Sequence, residues 1–543
     1  MSLPQPAAVR IPLIARPLAS TFTAAWTSPS AAIWPLLLVG GAALMVAPWL
    51  LYVIPDSDDG LIAGQAMLIS SGHLPYRDFF CAAPALTIAV YGVALKAFGS
   101  SYLVFRLVTG TILVAGGGLL YVIARCLTSR PWALGVALAW TSWLAMYIQA
   151  GPYHYLGVTA MLGATAAFLH SRQTARPGRW EVLSGVCAGL AVQALPTMVL
   201  AAAALEVAVL LTARRRWRAG ASVMAGGVAS LLPFLVFIVA TGTVAGFYEQ
   251  AIAWTTGPYL RAHPRVSPLT PLPDWPAWYF AFPTRLLVLF TVFLVPAAVL
   301  LLPLWGWLRR RRYRLRREVV AIGVISSGLF LAESYRAGTP LLWYAAPLAL
   351  LLAVCAGRSL LMRLAPRLPQ LGLLLALPLL AALGPAAIGA AQHLRVGSHP
   401  GWQAVHASAV DVYSDAPAAA AMQTVIDFSR AHRQDGIAYY PALETMYLLS
   451  GQPPRVFYLT ILPGVFTEQQ VQAEESDLQA KQVRYLVYRR LPRQFLADVY
   501  PGAESALQGR QWEFETFIAS NFQEVQTLAE MRDRGSVVLY ERR

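Results

Sequence analysis

The stretch Pro55–Pro84, PDSDDGLIAGQAMLISSGHLPYRDFFCAAP, decides how the chain is read. It follows the first apolar run of membrane length and sets Asp56, Asp58, Asp59 and Asp78 beside the bilayer, with His73 and Arg77 among them. Unpaired charge is costly to dehydrate there, so a loop that only joined two helices has little use for so many carboxylates. Asp58-Asp59-Gly60 also fits the start of a helix, because an Asp side chain accepts hydrogen bonds from the free N–H groups. One Asp is enough for capping, and the surplus favours a functional loop.

The wider composition places this loop in a membrane protein. Of 543 residues, 57% are apolar and 13% charged, whereas soluble domains carry about a quarter charged residues; the mean hydropathy is +0.52. The net charge of +15 comes from Arg clusters between apolar runs rather than from one basic face, which argues for topology signals and against a nucleic-acid partner. Cys81, Cys126, Cys187 and Cys355 are scattered without C-x-x-C spacing, giving neither a disulfide framework nor a zinc site. The apolar run behind Arg10 and Arg16 exceeds a signal-peptide core and reads as a retained first helix.

Spans of about 20 apolar residues with the Arg excess on the cytoplasmic side give one consistent path. The predicted spans are Ile33–Ile54, Tyr102–Ala124, Trp132–Ile148, Tyr155–Leu169, Val182–Leu195, Thr197–Thr212, Ala221–Thr241, Leu286–Leu308, Val319–Leu331, Leu341–Ala356 and Leu371–Ala391. These about eleven helices put every Arg cluster on one side, provided that Ala85–Phe98 lies along the outer interface instead of crossing. From His393 the apolar runs shorten and polar residues multiply. Val425–Arg433 reads as an amphipathic helix, and Gly436–Tyr440, Val483–Tyr488 and Ser536–Tyr540 as strands. The expected architecture is a polytopic α-helical membrane protein: a cytoplasmic segment at 1–30, a transmembrane domain at 31–392, and an extracytoplasmic α/β domain at 393–543.

The loop carries a further pattern: Asp58-Asp59-Gly60, a helix ending Ser71-Gly72, then Leu74-Pro75-Tyr76-Arg77-Asp78-Phe79-Phe80 and Pro84, then Phe98-Gly99-Ser100-Ser101 with Arg106 in the next helix. This resembles the first outer loop of GT-C glycosyltransferases, among them bacterial relatives of the protein mannosyltransferases and of the lipid A aminoarabinose transferase. In that superfamily the loop holds an acidic pair, usually Asp-Glu, whose first Asp is catalytic. The matching residue is Asp58, with Asp59 replacing the Glu. The resemblance is good over Ile54–Arg106 and weaker beyond. It implies an inverting membrane glycosyltransferase that moves a sugar from a polyprenyl-phosphate donor to an acceptor hydroxyl on the outer face of the inner membrane. Two departures stand out: Gln193-Ala194-Leu195-Pro196 lacks the Lys that many relatives place before that Pro, and Gln149-Ala150-Gly151-Pro152-Tyr153-His154 holds no second carboxylate.

Such chemistry asks for a base near the acceptor and cations on the departing phosphate. The resemblance assigns Asp58 as base, with Asp59 and Asp78 as partner carboxylates that raise its pKa, orient the acceptor or bind a divalent metal, the optional cofactor. Arg336, Arg106 and Arg77 are the candidate phosphate ligands; Arg336 in Glu333-Ser334-Tyr335-Arg336 stands just before a span, where relatives often place such residues. Tyr153 and His154 are candidates for acceptor or sugar contact. A lone histidine such as His73, His154 or His263 is more often an ordinary interfacial residue, and Trp254, Tyr259, Trp275, Trp278 and Tyr279 fit an interfacial aromatic belt. Partners are the lipid-linked donor, membrane lipids and a lipid, glycan or protein acceptor. A polysaccharide ligase or polymerase and a lipid or sugar transporter are the alternative readings, although a transporter more often shows midplane charges and paired repeats.

Overall fold

The computed structural model describes residues 29–53, 58–82, 84–145, 151–262, 316–333, 339–364, 401–462, 464–492, 502, 512–530 and 535–543. Its N-terminal part is a helical bundle built from α1 (Pro29–Val46), α2 (Asp58–Ser70), α3 (Leu86–Phe98), α4 (Tyr102–Arg125), α5 (Arg130–Ala145), α6 (Pro152–Ser171), α7 (Pro177–Ala194), α8 (Val199–Thr212), α9 (Arg216–Ala240), α10 (Arg317–Glu333) and α11 (Thr339–Leu364). Among the described residues α4 and α9 are long and apolar enough to cross a membrane, and Ile33–Trp49, Leu86–Phe98, Pro196–Thr212 and Tyr344–Ser359 are shorter apolar stretches. The expected spans at Leu286–Leu308 and Leu371–Ala391 lie outside the described residues, so the total stays an expectation from sequence.

Within the bundle, small residues let helices approach where apolar side chains gain little by leaving lipid. A Cβ on Gly185 of α7 would overlap the Val223 carbonyl of α9, and one on Gly226 would overlap the Val182 carbonyl. Substitution at either site forces α7 and α9 apart. The outer face of α9 leaves Leu232, Leu235, Val236 and Val239 exposed, as suits a lipid-facing helix. The turn at Pro196 separates α7 from α8 as a single 3-10 turn, Pro196–Met198.

The C-terminal part opens with the antiparallel pair β1 (Trp402–His406) and β2 (Asp411–Asp415), followed by α12 (Ala416–Ala431). Asp415 caps α12 by accepting the Ala418 N–H at 3.0 Å. A four-stranded sheet comes next, from β3 (Ile437–Tyr440), β4 (Tyr485–Arg490), β5 (Phe522–Glu530) and β6 (Ser536–Arg542) in the order β3-β4-β6-β5. The β3–β4 pair is parallel and the others antiparallel. Helices α13 (Thr445–Ser450), α14 (Glu468–Ala480) and α15 (Glu513–Asn521) complete an α/β arrangement. Its core is continuous with the acidic loop: Val53, Ile62, Met67, Phe79, Tyr91 and Phe105 share one apolar cluster with Val405, Val412, Met422, Val425, Tyr447 and Leu449.

Candidate active site

The acidic loop folds as α2, a turn, and α3. Asp58 and Asp59 occupy the first turn of α2, where unsatisfied N–H groups and the helix dipole favour carboxylates. Successive helical residues point about 100° apart, so the two acids face different surroundings. Asp58 is exposed, and its Oδ2 accepts the Tyr153 hydroxyl at 2.8 Å. Asp59 turns inward, fully buried, and forms an ion pair with Arg106 of α4, itself fully buried. The Arg106 Nε donates to the Tyr102 hydroxyl oxygen at 2.7 Å, one turn back on the same helix. Burial pushes the Asp59 carboxyl up to about 7, and the Arg106 guanidinium pulls against that shift.

Tyr153 reaches Asp58 because α6 starts just before it. Gly151 takes a left-handed φ of 73°, and Pro152 opens the helix with a fixed φ and no N–H to satisfy. The next residue, His154, is buried, and its Nδ1 lies 2.7 Å from Glu333 Oε2 at the end of α10. The imidazole stacks on Tyr344 of α11, with ring centroids 4.7 Å apart. Tyr153 and His154 therefore diverge: one serves Asp58, the other ties three helices together beneath it. Glu333 entered the sequence reading only as the first letter of the Arg336 motif, and its buried partner was not legible there.

Asp78 is used within its own turn. Its Oδ2 accepts the Leu74 N–H at 2.7 Å and its Oδ1 the Arg77 Nε at 2.8 Å. Those bonds to Arg77 hold the Asp78 carboxyl below its ordinary value. Arg77 is exposed with Asp78 as its partner, and Arg106 is committed to Asp59 inside the protein. Arg336 lies outside the described residues, as do His263, Trp275, Trp278 and Tyr279. The rest of the turn is clamped from a distance: Gln250, in a π-helical segment Tyr248–Ala253, donates to Tyr76 O at 3.0 Å and accepts the Cys81 N–H at 2.8 Å. That clamp holds Tyr76 at φ 67°, a left-handed conformation unusual for an aromatic residue.

Among the described residues there is no group of three or more His, Cys, Asp or Glu side chains that could hold a metal ion. Of the described donors, Asp59 is turned to Arg106 and His154 to Glu333.

Comparison with solved structures supplies the fold's relatives. The ArnT structure from Cupriavidus metallidurans bound to undecaprenyl phosphate superposes with a TM-score of 0.57 at 14% identity, over 94% of this chain and 98% of that one. The apo form of that protein gives a TM-score of 0.52 at 16% identity, over 94% and 98% of the two chains. The oligosaccharyltransferase AglB from Archaeoglobus fulgidus, in complex with an inhibitory peptide and a dolichol-phosphate, gives 0.51 at 12% identity, over 92% of this chain and 73% of that one. The chain shares the fold of these two proteins. The resemblance read from residues 54–106 is thus matched at the level of the fold. No protein-family model and no curated protein sequence matches the chain.

Proposed function

We propose that this protein is a membrane glycosyltransferase that uses a polyprenyl-phosphate-linked sugar, with Asp58 as general base. The observation that carries the reading is the contrast within the acidic pair: Asp59 is sealed in an ion pair, while Asp58 stands exposed and oriented by the Tyr153 hydroxyl. A base must be reachable by the acceptor, and of the two acids Asp58 alone is exposed. The fold shared with ArnT, solved with undecaprenyl phosphate, supports a lipid phosphate as the donor's carrier.

In the proposed step the acceptor O–H gives its proton to Asp58 as its oxygen attacks the anomeric carbon. The bond from that carbon to the phosphate oxygen breaks, and the lipid phosphate leaves with the electron pair, so the configuration inverts. Tyr153 holds the carboxylate in the direction of attack. Asp59 and Arg106 act as a neutral buried anchor for the first turn of α2, and Arg336 is the preferred cation for the leaving phosphate, with Arg77 the exposed second choice. Asp78 shapes the turn after α2, and His154 supports Tyr153 from within the bundle. The outer face of the inner membrane, with the C-terminal domain on the same side, completes the reading. Incubating the purified full-length chain with polyprenyl-phosphate sugars and following donor consumption tests it: consumption must depend on Asp58.

A further inference from the structure

Both approaches to Asp58 are tied to the C-terminal domain. On the N-terminal side the Val53 N–H donates to Tyr413 O at 2.9 Å and the Tyr413 N–H to Leu51 O at 2.8 Å, while Ser414 Oγ donates to Val53 O at 2.8 Å. The Tyr52 ring stacks on Trp402 beside them, centroids 4.3 Å apart. The segment leaving α1 is thereby held against β2. On the far side of α2 the Phe80 N–H donates to Phe457 O at 2.8 Å, and Gln65 on α2 donates to Phe80 O at 3.0 Å.

Between these ties α2 lies directly on the C-terminal domain through Gly60 and Gly64, four residues apart and so on one helix face. A Cβ on Gly60 would stand 2.5 Å from the Thr445 amide nitrogen and 3.2 Å from the Glu444 carbonyl carbon. The Thr445 hydroxyl also stands in the way, and Thr445 and Glu444 are both buried. A Cβ on Gly64 would stand 2.5 Å from Leu459 Cδ2. Gly60 is two residues from Asp58, so any withdrawal of α2 from α13 moves the carboxylate.

We propose that the C-terminal domain is the positioning element for Asp58, with the Gly60–Thr445 contact fixing the first turn of α2 and thereby the alignment of Asp58 with Tyr153. Its catalytic consequence rests on Asp58 being the base; its geometric content does not. A shift of about 1 Å in a reacting group is worth up to roughly 100-fold in rate, so the contact is a lever on turnover even if the acceptor never touches it.

The test places a single 3-fluorotyrosine at Tyr153 in the full-length detergent-purified chain and reads its fluorine resonance. Asp58→Asn calibrates the shift that accompanies a changed carboxyl. Gly60→Ala is expected to move the same resonance and to lower kcat by about 10- to 100-fold with KM little changed. Ser414→Ala removes one tie without adding an atom, keeps the fold, and is expected to move the resonance in the same direction by less. Gly118→Ala is the control, because a Cβ there meets nothing within 4 Å. A resonance unmoved in folded Gly60→Ala and Ser414→Ala proteins overturns the proposal, as does one unmoved by Asp58→Asn. A moved resonance in a Gly60→Ala protein, together with full turnover by Asp58→Asn, keeps the positioning inference and rejects Asp58 as base.

Discussion

Asp59→Asn separates an anchoring role from a catalytic one. Asp59 and Arg106 are both fully buried, so the substitution keeps the shape of the side chain while leaving a guanidinium without its counter-charge. Removing one partner of a buried pair costs about 3–5 kcal/mol, and at about 1.4 kcal/mol per decade this shifts the folding equilibrium by roughly 100-fold or more. Arg106→Met is expected to cost less, because burial already pushes the Asp59 carboxyl up to about 7 and it can take a proton, whereas a guanidinium stays charged. The double variant Asp59→Asn with Arg106→Met should recover most of the loss. Heating each protein in detergent and measuring the monodisperse fraction by size-exclusion chromatography gives the order: parent, double variant, Arg106→Met, Asp59→Asn. An Asp59→Asn protein as stable as the parent, or a double variant no better than Asp59→Asn, would refute the anchor.

Other outcomes follow from the same geometry. Tyr153→Phe removes the hydroxyl that orients Asp58; misalignment of the base should lower turnover by roughly 10-fold or more, and parent-like turnover would remove Tyr153 from the site. His154→Phe and Glu333→Leu should be coupled by about 0.5–3 kcal/mol in a double-mutant cycle read by thermal stability, and additivity would remove the pair from the account. In the C-terminal domain, burial raises Glu474 from its ordinary 4.5 to about 8. The folded state therefore holds its proton where the unfolded state has released it, and stability should decline as pH rises from about 4.5 through 8. Glu474→Gln, which mimics the protonated acid, should flatten that decline in pH-dependent melting, and an unchanged profile would exclude Glu474 as its source. Cysteines at Ser57 and Ser536 should be labelled from outside intact inner membranes and one at Arg311 should not; the reverse pattern would invert the topology.

Much of the bundle was legible because long apolar runs were read as helices. Tyr102–Ala124 is expected as a span, and the helix runs Tyr102–Arg125; Ala85–Phe98 is expected as a helix along the outer interface, and a helix is present at Leu86–Phe98. The C-terminal domain was less so. Strands β3, β4 and β6 announce themselves by buried apolar runs, but β5 is an edge strand with largely exposed polar residues, and it was missed. Helix α14 is mostly polar, with Val471, Glu474 and Leu478 inward; its capping box at Thr467 and Gln470 was the available signal. At the site, sequence named Asp58, Asp59, Asp78, Arg77, Arg106, Arg336, Tyr153 and His154 as separate candidates and could not show which of them meet. Which acid is sealed depends on helix phase and on an Arg from another helix. The need for glycine at position 60 depends on a backbone supplied from the far end of the chain.

The central claim is that Asp58 takes the acceptor proton while a polyprenyl-phosphate sugar is consumed. The most direct measurement is single-turnover donor consumption by the full-length parent and by Asp58→Asn, with melting curves of both. Loss of a general base predicts turnover lowered by about 100-fold or more, with stability and donor binding preserved. Near-normal turnover by a well-folded Asp58→Asn protein would contradict the account.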